Sequence, residues 1–166
     1  DIVNEGFDVA LRVRANLDDD PSLVLRKFSN IQQHLFASQA YLNEYGTPKM
    51  PEDLIEHRIL SMADEHIDQI MILHDDQNQQ KKIKINPILM GSNLMMLGSL
   101  VSQNCGIALL PDTIAHDYVV TGELVRVLPD WKAPHGIFHA VYPSRRGLLP
   151  AVRVFIDYLV EHLSLR

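Results

Sequence analysis

Residues 91–112, GSNLMMLGSLVSQNCGIALLPD, limit what this chain can fold into more than any other stretch. Ser92 and Asn93 stand before an apolar run, and either can open a helix by accepting hydrogen bonds from its unpaired first-turn N–H groups. Leu94, Leu97, Leu100 and Val101 then recur at helical spacing and make one apolar stripe. Gly106 follows the last periodic residue and suits a C-terminal cap, where a left-handed backbone costs glycine nothing. Residues 107–110, IALL, are a short continuous apolar run, consistent with a strand buried on both faces. Pro111 stops that strand and, with Asp112, can begin a second helix. This is half of a parallel α/β unit, a unit that binds small ligands at strand C-termini and helix N-termini.

The flanking sequence supplies neighbours for that unit. Residues 7–13, FDVALRV, read as a buried strand with Arg12 and Arg14 at its C-terminal end. The adjacent acids Asp18, Asp19 and Asp20 read as a solvated loop, and their spacing excludes a calcium loop of the EF-hand type. Residues 23–28 and 31–37 read as two strands joined by a polar turn at Ser29-Asn30. Residues 38–46, SQAYLNEYG, read as a short helix capped by Ser38 and ended by Gly46. Residues 51–56 form another, with acids in its first turn. Residues 58–62 make a strand, and 70–74 with 81–85 make a hairpin with a half-exposed edge. Beyond the central stretch, a helix over 111–120 ends at Gly122, strands span 124–128 and 136–142, and Arg145, Arg146 and Gly147 form an exposed turn. Residues 150–163 are an amphipathic helix with Val152, Phe155, Ile156, Leu159 and Leu163 on its buried face.

Composition narrows the function classes. At 166 residues, 46% hydrophobic and 22% charged, the chain can bury a good core as one domain or two small lobes. No apolar run is long enough to span a bilayer, so no membrane role is expected. A net charge of −6 argues against wrapping nucleic acid unaided. A single cysteine, Cys105, excludes an internal disulfide framework, favours a reducing compartment and reads as a small buried residue. No signal peptide is visible in residues 1–13. The opening DIVNEG looks like the last turn of a helix capped by Gly6, so the chain reads as a piece of a longer protein.

Taken together, FDVALRV at 7–13, ASQAYLNEYGTPKMPEDLIEHRIL at 37–60, GIALLPD at 106–112, GELVRVLPDW at 122–131 and AVYPSRRGLLPAVRVFIDYL at 140–159 resemble the effector-binding domain of LysR-type transcriptional regulators. The likeness covers nearly the whole chain and keeps the motifs in order. It implies an α/β, two-lobed fold like the type II periplasmic binding proteins, with an effector cleft between the lobes. Residues 1–38 and 139–166 would form a split lobe and 39–138 an inserted lobe, with crossovers at 34–38 and 138–144. The family's winged helix-turn-helix is absent, as is the first strand-helix-strand of the split lobe. The cleft helix opens on Gly91-Ser92-Asn93-Leu94-Met95-Met96, where many relatives carry polar residues and glycine, and Ile70 and Met71 replace an aromatic often found before the hairpin.

The effector-binding candidates are Val13, Arg14, Ser38, Ser61, Ser92 and Asn93. Ser92 and Asn93 offer hydroxyl, amide and helix N–H groups to an anion or carbonyl, alongside plain capping. Arg14, at a strand end, can pair with a carboxylate or be a solvated loop arginine. Capping alone explains Ser38, and Ser61 is a weaker candidate of the same sort. His135 with His139, and His57 with His66, stand in no metal-ligand motif, and no cofactor is expected. No Ser-His-Asp or paired-carboxylate set can be picked out, so nothing argues for an enzyme. The resemblance implies a cytoplasmic regulator that takes a small-molecule effector, contacts DNA only through the missing N-terminal domain, and forms a homodimer or homotetramer. The alternative is a periplasmic solute-binding protein of the same fold, which a signal peptide in the full gene would mark as surely as an upstream helix-turn-helix would mark a regulator.

Overall fold

A computed structural model describes residues 6–14, 17, 20–62, 69–143 and 149–163. Expectations for residues 1–5, Asn16, Asp18, Asp19, His66 and the turn at 145–147 fall outside the described residues. The chain divides into two compact units, 1–31 with 135–166, and 32–134.

The larger unit is built on a five-stranded sheet of order β7-β4-β8-β3-β9. Its strands are β3 (Gln33–Ala37), β4 (Ile59–Met62), β7 (Pro87–Gly91), β8 (Ile107–Pro111) and β9 (Val125–Val127). β4 runs parallel to both β7 and β8, whereas β3 runs antiparallel to β8 and β9. The expected strand-helix-strand is present, and α2 (Leu94–Ser102) carries the chain from β7 over β4 to β8. Apolar side chains cover both faces. On one, Leu35, Ile59, Ile107 and Val127 pack with Tyr41 and Leu42 of α1 (Gln39–Tyr45), with Leu54 of the 3₁₀ turn Pro51–Glu56, with Met71, Leu73 and Ile83 of the hairpin β5 (Ile70–His74) and β6 (Gln80–Lys84), and with Ile85 just after it. On the other, Phe36, Leu60, Ala108 and Leu110 pack with Leu97 and Val101 of α2 and Ala115 of α3 (Asp112–Val120). This two-sided burial is why 107–110 reads as an unbroken apolar run.

The smaller unit is an antiparallel sheet of order β1-β10-β2, made of β1 (Ala10–Arg14), β10 (Gly136–Pro143) and β2 (Leu23–Ile31). Helix α4 (Pro150–Leu163) lies on one face, where Leu159 joins Phe28 and Ala140 with Val9, Phe138 and Val160 around them.

Several expectations change. No turn breaks the chain at Ser29-Asn30: β2 runs on to Ile31, because the eight-residue β10 pairs with it from end to end. A bulge between Phe138 and His139 takes up the mismatch, and the true break falls at Gln32. The last turn of α2 closes on Asn104, whose φ is 65°, rather than on Gly106. Gly106 is needed for a close approach instead, since a Cβ there would overlap the carbonyl oxygen of Arg58. On α4 only Ile156 and Leu159 are buried. Phe155 and Leu163, expected inside, are each 39% exposed, because three strands give the helix a narrow floor. Cys105 is half-buried at the edge of its cluster.

Candidate functional site

The sheet register of the larger unit sorts the candidate residues onto two edges. The parallel strands β4, β7 and β8 end together, with Ser61 beside Met90 and Met62 beside Gly91. Ser92 and Asn93 follow at once, so Ser61, Ser92 and Asn93 share the C-terminal edge, where α/β sheets bind ligands. Asn93, not Ser92, is the helix cap. Its Oδ1 accepts from the N–H groups of Met95 at 2.9 Å and Met96 at 3.1 Å. Ser92 is exposed, and among the described residues its side chain makes no hydrogen bond, leaving its hydroxyl available to a ligand. Four methionines rim this edge: Met62, Met90, Met95 and Met96 are between 37% and 59% exposed. Thioethers are soft, apolar and conformationally adaptable, which suits an irregular ligand surface.

Ser38 lies on the opposite edge. β3 is antiparallel to β8, so the strand begins beside Pro111 and finishes, about 13 Å further along, at the end where β8 starts. There Ser38 is 3% exposed and fully engaged: its Oγ accepts from the N–H of Tyr41 at 3.1 Å and donates to Asn104 Oδ1 at 2.7 Å. That pair joins the start of α1 to the turn that ends α2.

In the smaller unit, Val13 and Arg14 are neighbours on β1 and point to opposite faces of its sheet. Val13 pairs with Phe138 and leans over Gly136, where a Cβ would lie 2.5 Å from its Cγ1. Arg14 pairs with Ile137 on the other face.

The structure adds polar residues that the sequence reading passed over. His34 Nδ1 lies 2.7 Å from Asp112 Oδ1, and Arg126 reaches the same oxygen at 3.3 Å. These three sit at the edge that carries Pro111, and Asp112 occupies the first turn of α3, where its charge complements the helix dipole. His34 and Asp112 are 78 positions apart, and no local pattern connects them. Next to α1, Tyr41 is fully buried; its hydroxyl accepts from the Arg58 N–H at 3.0 Å and meets His57 Nδ1 at 3.1 Å. Burial raises the Tyr41 phenol and lowers the His57 imidazole from their ordinary ranges, in each case by penalising the charged form. Among the described residues no group of three His, Cys, Asp or Glu side chains is placed to hold a metal ion, and no helix is long and apolar enough to cross a membrane.

Comparison with known proteins bears on what such an edge serves. The profile of the LysR substrate binding domain matches residues 1–164. An HTH-type transcriptional regulator of Xanthomonas campestris is 32% identical over 99% of this chain and 48% of its own length. The structure of CrgA, a LysR-type transcriptional regulator from Neisseria meningitidis, superposes with a TM-score of 0.82 at 30% identity, covering 99% of this chain and 55% of that one. The regulatory domain of AphB from Vibrio vulnificus gives 0.77 at 30% identity, over 95% of this chain and 76% of that one. The chain spans about half the length of the curated relatives it matches. The fold is therefore the type II periplasmic-binding-protein-like α/β fold of LysR regulatory domains. A profile that matches residues 1–164, and a relative 32% identical over 99% of the chain, lead to one conclusion: this chain belongs to the LysR substrate-binding domain family.

Proposed function

We propose that this chain is the effector-sensing part of a cytoplasmic transcription factor. The two compact units serve as the two regulatory subdomains. A small molecule binds at the C-terminal edge of the larger unit's parallel strands, where Ser61, Ser92 and Asn93 meet it, and Val13 and Arg14 are the effector contacts of the smaller unit. Ser38 acts as a structural cap. The ligand biases the domain by binding one conformation better than another, and it can shift the balance only by that difference. DNA contact belongs to an N-terminal helix-turn-helix of the kind named in the relatives, and the working form is a homodimer or homotetramer. The carrying observation is the gathering of Ser61, the free Ser92 hydroxyl and the Asn93-capped helix start at the C-terminal edge of parallel strands. The family match favours regulation over solute transport.

A thermal-shift screen of small metabolites against the chain, repeated on Ser92→Ala and Ser61→Ala, tests this. A compound that raises the melting temperature of the parent and loses most of that effect in both variants supports the reading. A compound whose amide chemical-shift changes cluster around Ser38 and Asn104, at the other edge, overturns the site.

A further inference from the structure

Four of the chain's six methionines, Met62, Met90, Met95 and Met96, stand at the ends of β4 and β7 or just past them, and all four are exposed. Apolar side chains scattered singly over a surface need no explanation, but a gathered set marks a place where something binds. The register shows how this set is put together. Met62 lies beside Gly91, and residues paired in this way share a face of the sheet. A Cβ on Gly91 would lie 2.7 Å from Cε of Met96, so the missing side chain leaves the room that the Met96 methyl fills, next to Met62. Ser61 and Met90, one residue back, face the other side by alternation. There Gln69 Nε2 donates to Met90 Sδ at 3.9 Å. Met95 follows on the first turn of α2. The thioethers thus occupy both faces of one edge.

The polar side chains gathered with them, Ser61, Gln69, Ser92 and Asn93, are all uncharged. The two helix starts on this edge are already served from within the chain. At α2, Asn93 Oδ1 takes the N–H groups of Met95 and Met96, which an anion would otherwise use. At α3, the Asp112 carboxylate itself stands where an anion would, with His34 Nδ1 at 2.7 Å and Arg126 at 3.3 Å from its Oδ1. A charged group pressed among the thioethers would shed water and meet no opposite charge in this set of side chains. Methionine is unbranched and polarizable, and its sulfur packs favourably against aromatic rings. We propose that the part of the effector seated on this edge is an uncharged apolar body, a flat ring system lying against the methionines, with a polar atom turned to Ser61 or Ser92. The proposal rests on the reading of this edge as the effector site, and it supplies the chemical class that the reading leaves open.

The test titrates the chain with indole, with sodium acetate and with methylammonium chloride, the two salts against sodium chloride at matched ionic strength. Methionine methyl and backbone amide chemical shifts are followed. Saturable shifts of the Met62, Met90, Met95 and Met96 methyls with indole, and with neither ion, are expected. Met90→Gln and Met95→Gln should each bind indole about fivefold more weakly, while Met50→Gln, at an exposed methionine before the 3₁₀ turn, binds it as the parent does. Both replaced side chains are exposed, and melting without ligand reads whether each variant folds. Saturable binding of either ion at Ser92 and Asn93 would overturn the proposal and leave the effector site in place. Silence from all three probes at this edge would overturn the proposal and the site together. Undiminished indole binding by both variants would also overturn it.

Discussion

A Cβ on Gly106 would overlap the carbonyl oxygen of Arg58, the same oxygen that accepts a hydrogen bond from the Ile107 N–H at 2.8 Å. The start of β8 is thus pressed against the strand beside it, and only a residue without a side chain fits. Gly106→Ala must move backbone, not the end of a flexible side chain. We expect a loss of about 2 kcal/mol or more, at the upper part of the range for overpacked positions, read as a lower urea midpoint at unchanged slope. Gly91→Ala meets mainly the mobile Cε of Met96 and should cost much less.

Asn93 closes two free N–H groups at the start of α2. Asn93→Ala should lower stability by about 1 kcal/mol, and Asn93→Asp should retain it, since a carboxylate caps as well and suits the helix dipole. Chemical denaturation of the three proteins side by side checks this. Equal midpoints for the alanine and aspartate variants would contradict the capping role.

Ser38 and Ser61 separate stability from sensing. Ser38→Ala removes a buried cap and leaves Asn104 without its partner, so a cost of about 1–2 kcal/mol is expected with ligand response intact. Among the described residues the Ser61 hydroxyl makes only a long contact of 3.4 Å to the Met62 carbonyl oxygen, so Ser61→Ala should leave stability nearly unchanged while weakening the thermal shift produced by an effector. The reverse pattern would exchange their roles.

Burial lowers the His57 imidazole from its usual range, with the Asp53 charge pulling more weakly the other way. The unfolded chain therefore takes up this proton at a higher pH than the folded one does. The associated stability is present above the ordinary imidazole value of about 6.5 and is lost as pH falls through it. Protonation would also abolish the acceptor that His57 Nδ1 offers to the Tyr41 hydroxyl. Melting temperatures at about pH 7.5 and about pH 5.5 should drop more for the parent than for His57→Asn. The lowered carboxyls of Asp20, Glu52, Asp53 and Asp76 act in a separate window, losing their contribution only at more acid pH.

Much of this architecture was legible from local chemistry. Ser38, Gly46 and the alternation of Lys82 and Lys84 with Ile83 and Ile85 marked α1 and the hairpin, because caps and period-two patterns act over a few residues. The polar pair Ser29-Asn30 misled, since a long ladder with β10 outweighs the turn preference of two residues. Gly106 was seen as special for the wrong reason: its constraint comes from Arg58, far away in sequence. The division of the candidate serines between two edges follows from the direction of β3, which no residue type encodes. For the same reason His34 and Asp112 became visible as a pair only in three dimensions.

Helix α4 buries only two side chains, Ile156 and Leu159, while Val154 and Tyr158 remain 69% and 56% exposed. Helix α2, by contrast, buries Leu97, Gly98 and Val101 within a cluster shared with α3 and β8. Elements with few buried contacts open at a free energy below that of global unfolding. The amide protons of α4 will therefore exchange with deuterated solvent through their own local excursions, ahead of those in α2. The last helix behaves as a separate cooperative segment whose protection reports how well its outer face is covered at any moment.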